Sequence, residues 1–174
     1  MTLKPTGQSR IGELVNLLGQ LRDHYMNMQD ILNGKLDAMR RADSDKLNEL
    51  VGIERGLVER IRERDGLRKQ LVAMVCGEIG LGDDVAGTIT LTELAARIKE
   101  PRRGHLLSLS QSLKEVVTKV GETNRVIATV SDVMLKHFGK IHEAMTMSPE
   151  DPGLYSAKGV SSRGGGRAMF CAVG

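Results

Sequence analysis

The sequence predicts an all-α protein, an elongated antiparallel helical hairpin or three-helix bundle with one short accessory helix and a flexible C-terminal tail. Three observations lead there. Apolar residues recur at steps of three and four over long stretches, which is the period of one helix face and not of a strand. The apolar palette is Leu, Val, Ile and nine Met, with two Tyr, two Phe and no Trp, which suits helix-to-helix seams better than a wide core. After Pro149 the composition turns to Gly, Ser and Arg, with too few large side chains to offset the entropy of ordering. Residues 1–150 therefore read as the helical bundle and residues 151–174 as a mobile tail.

The first stripe runs from Ile11 to Met39 through Leu14, Leu18, Leu21, Tyr25, Met28, Leu32 and Leu36, with Arg22, Asp23, Lys35 and Asp37 elsewhere on the wheel. Ala42-Asp43-Ser44-Asp45 offers cap-type side chains, so a turn and a helix restart are predicted there. The second stripe is Leu47, Leu50, Ile53 or Glu54, Leu57, Ile61, Leu67 or Arg68, and Leu71. It carries Gly52, Gly56 and Gly66, each costing about 1 kcal/mol relative to Ala in a helix interior. Gly52 and Gly56 are four apart, and among so many charges they read as small residues where two helices approach closely. Acidic and basic residues alternate from Glu54 to Arg68, as on a solvated face with intrahelical ion pairs.

Gly77, Gly80, Gly82 and Gly87 mark a loop, and Thr90-Leu91-Thr92-Glu93 fits a capping box. A short helix from Leu91 to about Lys99 follows, with Pro101 as its stop, because the residue before a proline is pushed out of α geometry. The last helix is predicted over Arg102 to Met147, roughly 69 Å long. Its seam is Leu106, Leu109, Leu113, Val116, Val120, Ile127, Val130, Met134, Phe138, Ile141 and Met145, with Thr123 at the skipped position. A seam of that length must be covered by the first two helices to be stable in water.

Composition and motifs narrow the function. The net charge of +3 sits mostly in the tail, where Lys158, Arg163 and Arg167 face only Asp151. A pI near 9.0 resembles that of a nucleic-acid binder, yet there is almost nothing on which to stack bases. Cys76 and Cys171 are isolated, which argues against a disulfide framework and for a reducing cytoplasm. The first residues lack the apolar run of a signal peptide, and no segment approaches the length needed to span a bilayer. His137 and His142 are five apart, not stacked as i, i+4 metal ligands would be, and solvated or partly packed histidines are expected. No phosphate loop, dinucleotide fingerprint, nucleophile elbow or Cys/His pairing is present. No catalytic residue, metal or cofactor is therefore expected. Most methionines on the helices, among them Met26, Met28, Met39, Met74, Met134, Met145 and Met147, read as core.

Two segments carry a family resemblance. Val116-Val117-Thr118-Lys119-Val120-Gly121-Glu122-Thr123-Asn124-Arg125-Val126-Ile127 is a helix with an Asn before apolar residues, and Leu154-Tyr155-Ser156-Ala157-Lys158-Gly159 is a Leu-Tyr-x-x-x-Gly element followed by Arg163-Gly164-Gly165. In this order and spacing they resemble the FlgN family of flagellar type III export chaperones over nearly the whole chain. Gly121, where the family often has a second Asn, and the Met169-Phe170-Cys171 end depart from its pattern.

The resemblance implies a cytoplasmic chaperone, monomeric or homodimeric, that holds the C-terminal helices of hook-associated proteins and delivers them to the export gate. By the same resemblance Asn124, Val126 and Ile127, continued by Val130 and Met134, belong to the client-binding helix, and Leu154, Tyr155 and Gly159 to gate docking. An amphipathic client segment completing the seam of the last helix is the physical form such binding would take. The alternative from the residues alone is a structural coiled-coil protein that self-associates through that seam. A nucleic-acid binder using Arg163 and Arg167 is a third reading.

Overall fold

The computed structural model describes residues 7–81 and 87–146, with main chain alone for 7–9. The described residues form four helices: α1 (Gly7–Arg41), α2 (Ser44–Glu78), α3 (Leu91–Ala96) and α4 (Arg102–Thr146). Among the described residues there is no strand. The all-α class and the long helical hairpin are as the periodicity predicts. The chain forms two units, Met1–Thr129 and Val130–Gly174.

In the first unit α1 and α2 form an antiparallel hairpin. The turn between them follows from capping chemistry. Arg40 and Arg41 lie in the last turn of α1, where positive charge complements the carbonyl end. The Asp43 N–H reaches back to the Ala38 carbonyl at 2.9 Å across Ala42, which takes a left-handed conformation with φ 54°. Asp43 then caps α2, its carboxylate accepting from the Lys46 N–H at 2.9 Å. Lys35 bonds Glu54 at 2.7 Å, and Arg10 pairs with Glu78, which fixes the antiparallel register.

α4 begins at the end of the hairpin that holds the start of α1, since Ile11 and Arg102 line one cavity. Further along, the Gln29 amide donates to the Thr123 hydroxyl at 2.8 Å. Up to Thr129, α4 thus runs parallel to α1, giving an up-down-up bundle. Its core is Leu14, Leu18, Leu21, Met28 and Leu32 from α1, Leu57, Ile61, Val72, Val75 and Cys76 from α2, Leu94, Ala95 and Ile98 around α3, and Leu106 and Ile127 from α4.

Several expectations need correction. At the ambiguous positions of α2 the polar residues turn inward: Glu54 and Arg68 are half-buried, whereas Ile53 and Leu67 are 45% and 41% exposed. Glu54 is neutralised by Lys35 and Arg68 by Asp65. Inward charge is tolerated because each has a partner at the rim. The buried row also continues through Val72, Val75 and Cys76, beyond the predicted stripe.

Gly52 and Gly56 do not mark close helix approach, for a Cβ at either would meet nothing within 4 Å. Among the described glycines the one crowded by a facing helix is Gly34, where a Cβ would lie 3.2 Å from Leu50 Cδ1. Gly77 lies inside α2, and Gly80, with φ 77°, closes it. Gly82 falls outside the described residues.

The capping box of α3 is complete, with Thr90 Oγ1 accepting from the Glu93 N–H and Glu93 accepting from the Thr90 N–H. Yet α3 ends at Ala96, well before Pro101. Its last turn tightens through bonds from Arg97 to the Leu94 carbonyl and from Ile98 to the Ala95 carbonyl, which turns Ile98 into the core.

Candidate partner-binding face

On α4 the apolar seam keeps its phase while its cover changes. In the first unit Leu106 is fully buried and Ile127 is 8% exposed. Leu109, Leu113 and Val120 pack against the core as half-buried residues. Thr123, the polar residue in the seam, is satisfied by Gln29. Asn124 is exposed and Val126 is 50% exposed, one on each flank of the seam that holds Ile127.

In the second unit the last turns of α4 carry Val130, Met134, Phe138, Ile141 and Met145. At 100° per residue these five fall within an arc of about 80°, a single stripe. Val130 and Met134 are half-buried, while Phe138, Ile141 and Met145 are 60%, 54% and 79% exposed. Val133 and Leu135 flank the stripe and are also exposed. The far side of the helix is polar, with Lys136 bonded to Asp132 at 2.7 Å, and with Lys140 and Glu143. The expectation that the whole seam is covered by the first two helices therefore fails for Phe138, Ile141 and Met145. A two-sided helix with an uncovered apolar stripe is what a helix-in-groove or helix-on-helix partner recognises.

The methionines correct a second expectation. Met28 is buried and Met39 and Met134 are half-buried, but Met26, Met74 and Met145 are exposed at 53%, 42% and 79%. Met147, Leu154, Tyr155 and Gly159 lie outside the described residues, as do Cys171 and the tail expected to be mobile. The residues assigned to client binding are thus distributed by the fold, Ile127 in the core and Asn124, Val126, Val130 and Met134 outside or at its edge. Phe138, Ile141 and Met145 were legible as seam residues but not as an open face, because period reports orientation and not cover.

The titratable groups with displaced pKa values serve the bundle. Burial, then the Asp65 charge, raises the Tyr25 phenol, with Arg68 opposing. Burial pushes the Asp65 carboxyl up, but hydrogen bonds and charge from Arg68 and Lys69 outweigh it and hold the group below the usual range. Burial raises the Cys76 thiol, with Arg97 opposing. The hydrogen bond from the Thr90 N–H, then that from its hydroxyl, lowers Glu93. None of the four lies on α4, so its open face offers shape and apolar area. His105, His137 and His142 on α4 are exposed, and His24 on α1 is half-buried. No described helix is long and apolar enough to cross a membrane.

The first unit is an up-down-up helical bundle, and the last turns of α4 carry an apolar stripe open to solvent. The family model described as FlgN protein matches residues 1–163, a span that takes in Asn124, Leu154, Tyr155 and Gly159. The chain belongs to the FlgN family, a family of flagellar export chaperones. No curated protein and no solved structure matches it.

Proposed function

We propose that this protein is a non-enzymatic, cytoplasmic chaperone that binds hook-associated proteins of the flagellum through their C-terminal helices and delivers them to the type III export gate. The observation that carries the reading is the stripe Phe138, Ile141 and Met145, exposed on a helix whose earlier seam is buried in the bundle. A client helix laid along it extends the seat through Met134 and Val130, and Asn124 and Val126 are open to further contact. Ile127 lies inside the core of the first unit and serves the bundle. Leu154, Tyr155 and Gly159 are assigned to gate docking on the family motif.

A disordered client tail that folds on this face loses part of its binding energy to ordering, which keeps it releasable. Titration of full-length protein with C-terminal segments of hook-associated proteins tests the reading. Saturable binding supports it, and absence of saturable binding to any such segment overturns it. A Tyr155→Ala variant should still bind client and fail in export.

A further inference from the structure

Within the first unit a cavity of about 440 Å³ lies where the chain passes from α3 into α4. Its apolar lining is Ile11, Ile79, Ile98 and Pro101. Ile98 is 8% exposed and Ile11 is half-buried, so an aliphatic floor stands at the edge of the core. The rim is charged, with Arg97, Lys99 and Arg102 beside Glu100. Arg97 and Lys99 are exposed, and Arg102 is half-buried.

The charge at this rim is lopsided. Between residues 97 and 105 the chain carries Arg97, Lys99, Arg102 and Arg103 against Glu100 alone. The neighbouring acids already have partners. Glu78 pairs with Arg10, Glu93 is held by the Thr90 N–H, and Glu100 accepts from the Gly104 N–H at 3.2 Å. Arg97 feels the charge of Glu93 without forming an ion pair with it. Among the described residues Arg97, Lys99 and Arg102 form no ion pair. The first turn of α4 also carries no acidic residue to answer the positive end of the helix.

Uncommitted positive charge over an aliphatic floor discriminates among anionic ligands. Nucleic-acid bases need flat side chains on which to stack, and no aromatic residue lines the cavity. A bilayer surface attracts basic side chains but lies flat on this scale, so it would meet the rim and leave the floor empty. A peptide supplies both parts at once, an apolar side chain for the floor and carboxylates for the rim. We propose that this cavity is a docking site for an acidic peptide segment of a partner protein. A large apolar side chain of that segment enters between Ile11, Ile79 and Ile98, and neighbouring carboxylates meet Arg97, Lys99 and Arg102. The cavity shares no residue with the apolar stripe over residues 130–145, and the inference does not depend on the client reading.

The test is fluorescence anisotropy of the full chain with a short labelled peptide of alternating Glu and Leu. Two counterparts accompany it, one with Gln in place of Glu and one with Ser in place of Leu. The wild type should bind the first peptide saturably and each counterpart about tenfold more weakly. Replacing the rim cations together, Arg97→Gln, Lys99→Gln and Arg102→Gln, should weaken binding about tenfold. Arg55→Gln, Lys119→Gln and Arg125→Gln remove the same charge from exposed positions elsewhere, and that variant should stay within about twofold of the wild type. A circular-dichroism melt like that of the wild type verifies that each triple variant is folded. Absence of saturable binding overturns the proposal. Equal losses in the two triple variants mark diffuse charge and overturn it, and so does undiminished binding of the Ser counterpart, which leaves the floor unused. Phosphatidylglycerol vesicles and a single-stranded oligonucleotide complete the series. If either binds through the rim cations more tightly than the peptide does, the cavity belongs to that anion and the peptide reading falls.

Discussion

Replacing Phe138 with Ala separates a binding face from a packed core by size and by readout. A phenylalanine brings on the order of 200 Å² of surface, so 60% exposure leaves about 120 Å² open to a partner. Covered completely, that area is worth about 3 kcal/mol at roughly 25 cal/mol per Å². Alanine keeps part of the contact and ordering costs reduce the yield, which leaves about 1.5–2 kcal/mol, or roughly a 10–30-fold loss of affinity. The folded monomer loses little, within about 0.5 kcal/mol, because most of the ring is already in water. Fluorescence anisotropy with a labelled C-terminal segment of a hook-associated protein reads the affinity, and a circular-dichroism melt in dilute solution reads the stability. A melt lowered by many degrees with affinity unchanged refutes the reasoning, for the ring would then be packed in the monomer and absent from the interface.

Ile127→Ala should behave in the opposite way. A side chain only 8% exposed leaves a cavity, and chemical denaturation should show a loss of roughly 2–5 kcal/mol. Thr90→Ala removes the hydroxyl of the capping box and should cost about 1 kcal/mol, read as a Tm about 2–4 °C lower. Because Glu93 is depressed below its ordinary value of 4.5, its contribution is present above that pH. It is lost as pH falls through the folded value. The residue-90 N–H that chiefly lowers Glu93 survives in Thr90→Ala, and the lost bond from the Glu93 N–H to Thr90 Oγ1 does not titrate, so most of the difference between wild type and variant should persist in acid. Gly56→Ala should stabilise α2 by up to about 1 kcal/mol, since the new methyl meets nothing and helix propensity improves. Gly34→Ala should gain less or lose stability, because its methyl would crowd Leu50 at 3.2 Å. Thermal melts of the two glycine variants side by side decide whether Gly34 is the closest approach.

Much of the fold was legible because helix period, caps and breakers are local. Asp43 and Thr90 were recognisable as caps from their neighbours, and the structure uses both. The errors fall where a third element decides. Whether Ile53 or Glu54 turns inward depends on Lys35, nineteen residues away, which neutralises Glu54. Whether Gly34 or Gly56 sits at a close approach depends on where Leu50 projects from the facing helix. The end of α3 depends on Ile98 finding the core, a long-range gain that overrides the proline signal at Pro101.

The open face of α4 follows from the same limit. A seam is written into the sequence by period alone, and the period of Leu106 to Met145 barely changes along the helix. Cover is a property of how much partner helix is at hand. Exposure, not period, marks the change in the last turns of α4: Phe138, Ile141 and Met145 are 60%, 54% and 79% exposed, whereas Leu106 and Ile127 are buried. An isolated polar helix end would solvate these turns at no cost in aggregation, so an apolar stripe retained there is informative about a partner. Converting Phe138, Ile141 and Met145 together to Gln tests this directly. The bundle should melt as before in dilute solution, whereas binding to hook-associated segments should disappear. Retained binding in that triple variant places the client elsewhere and leaves the stripe without the role assigned to it.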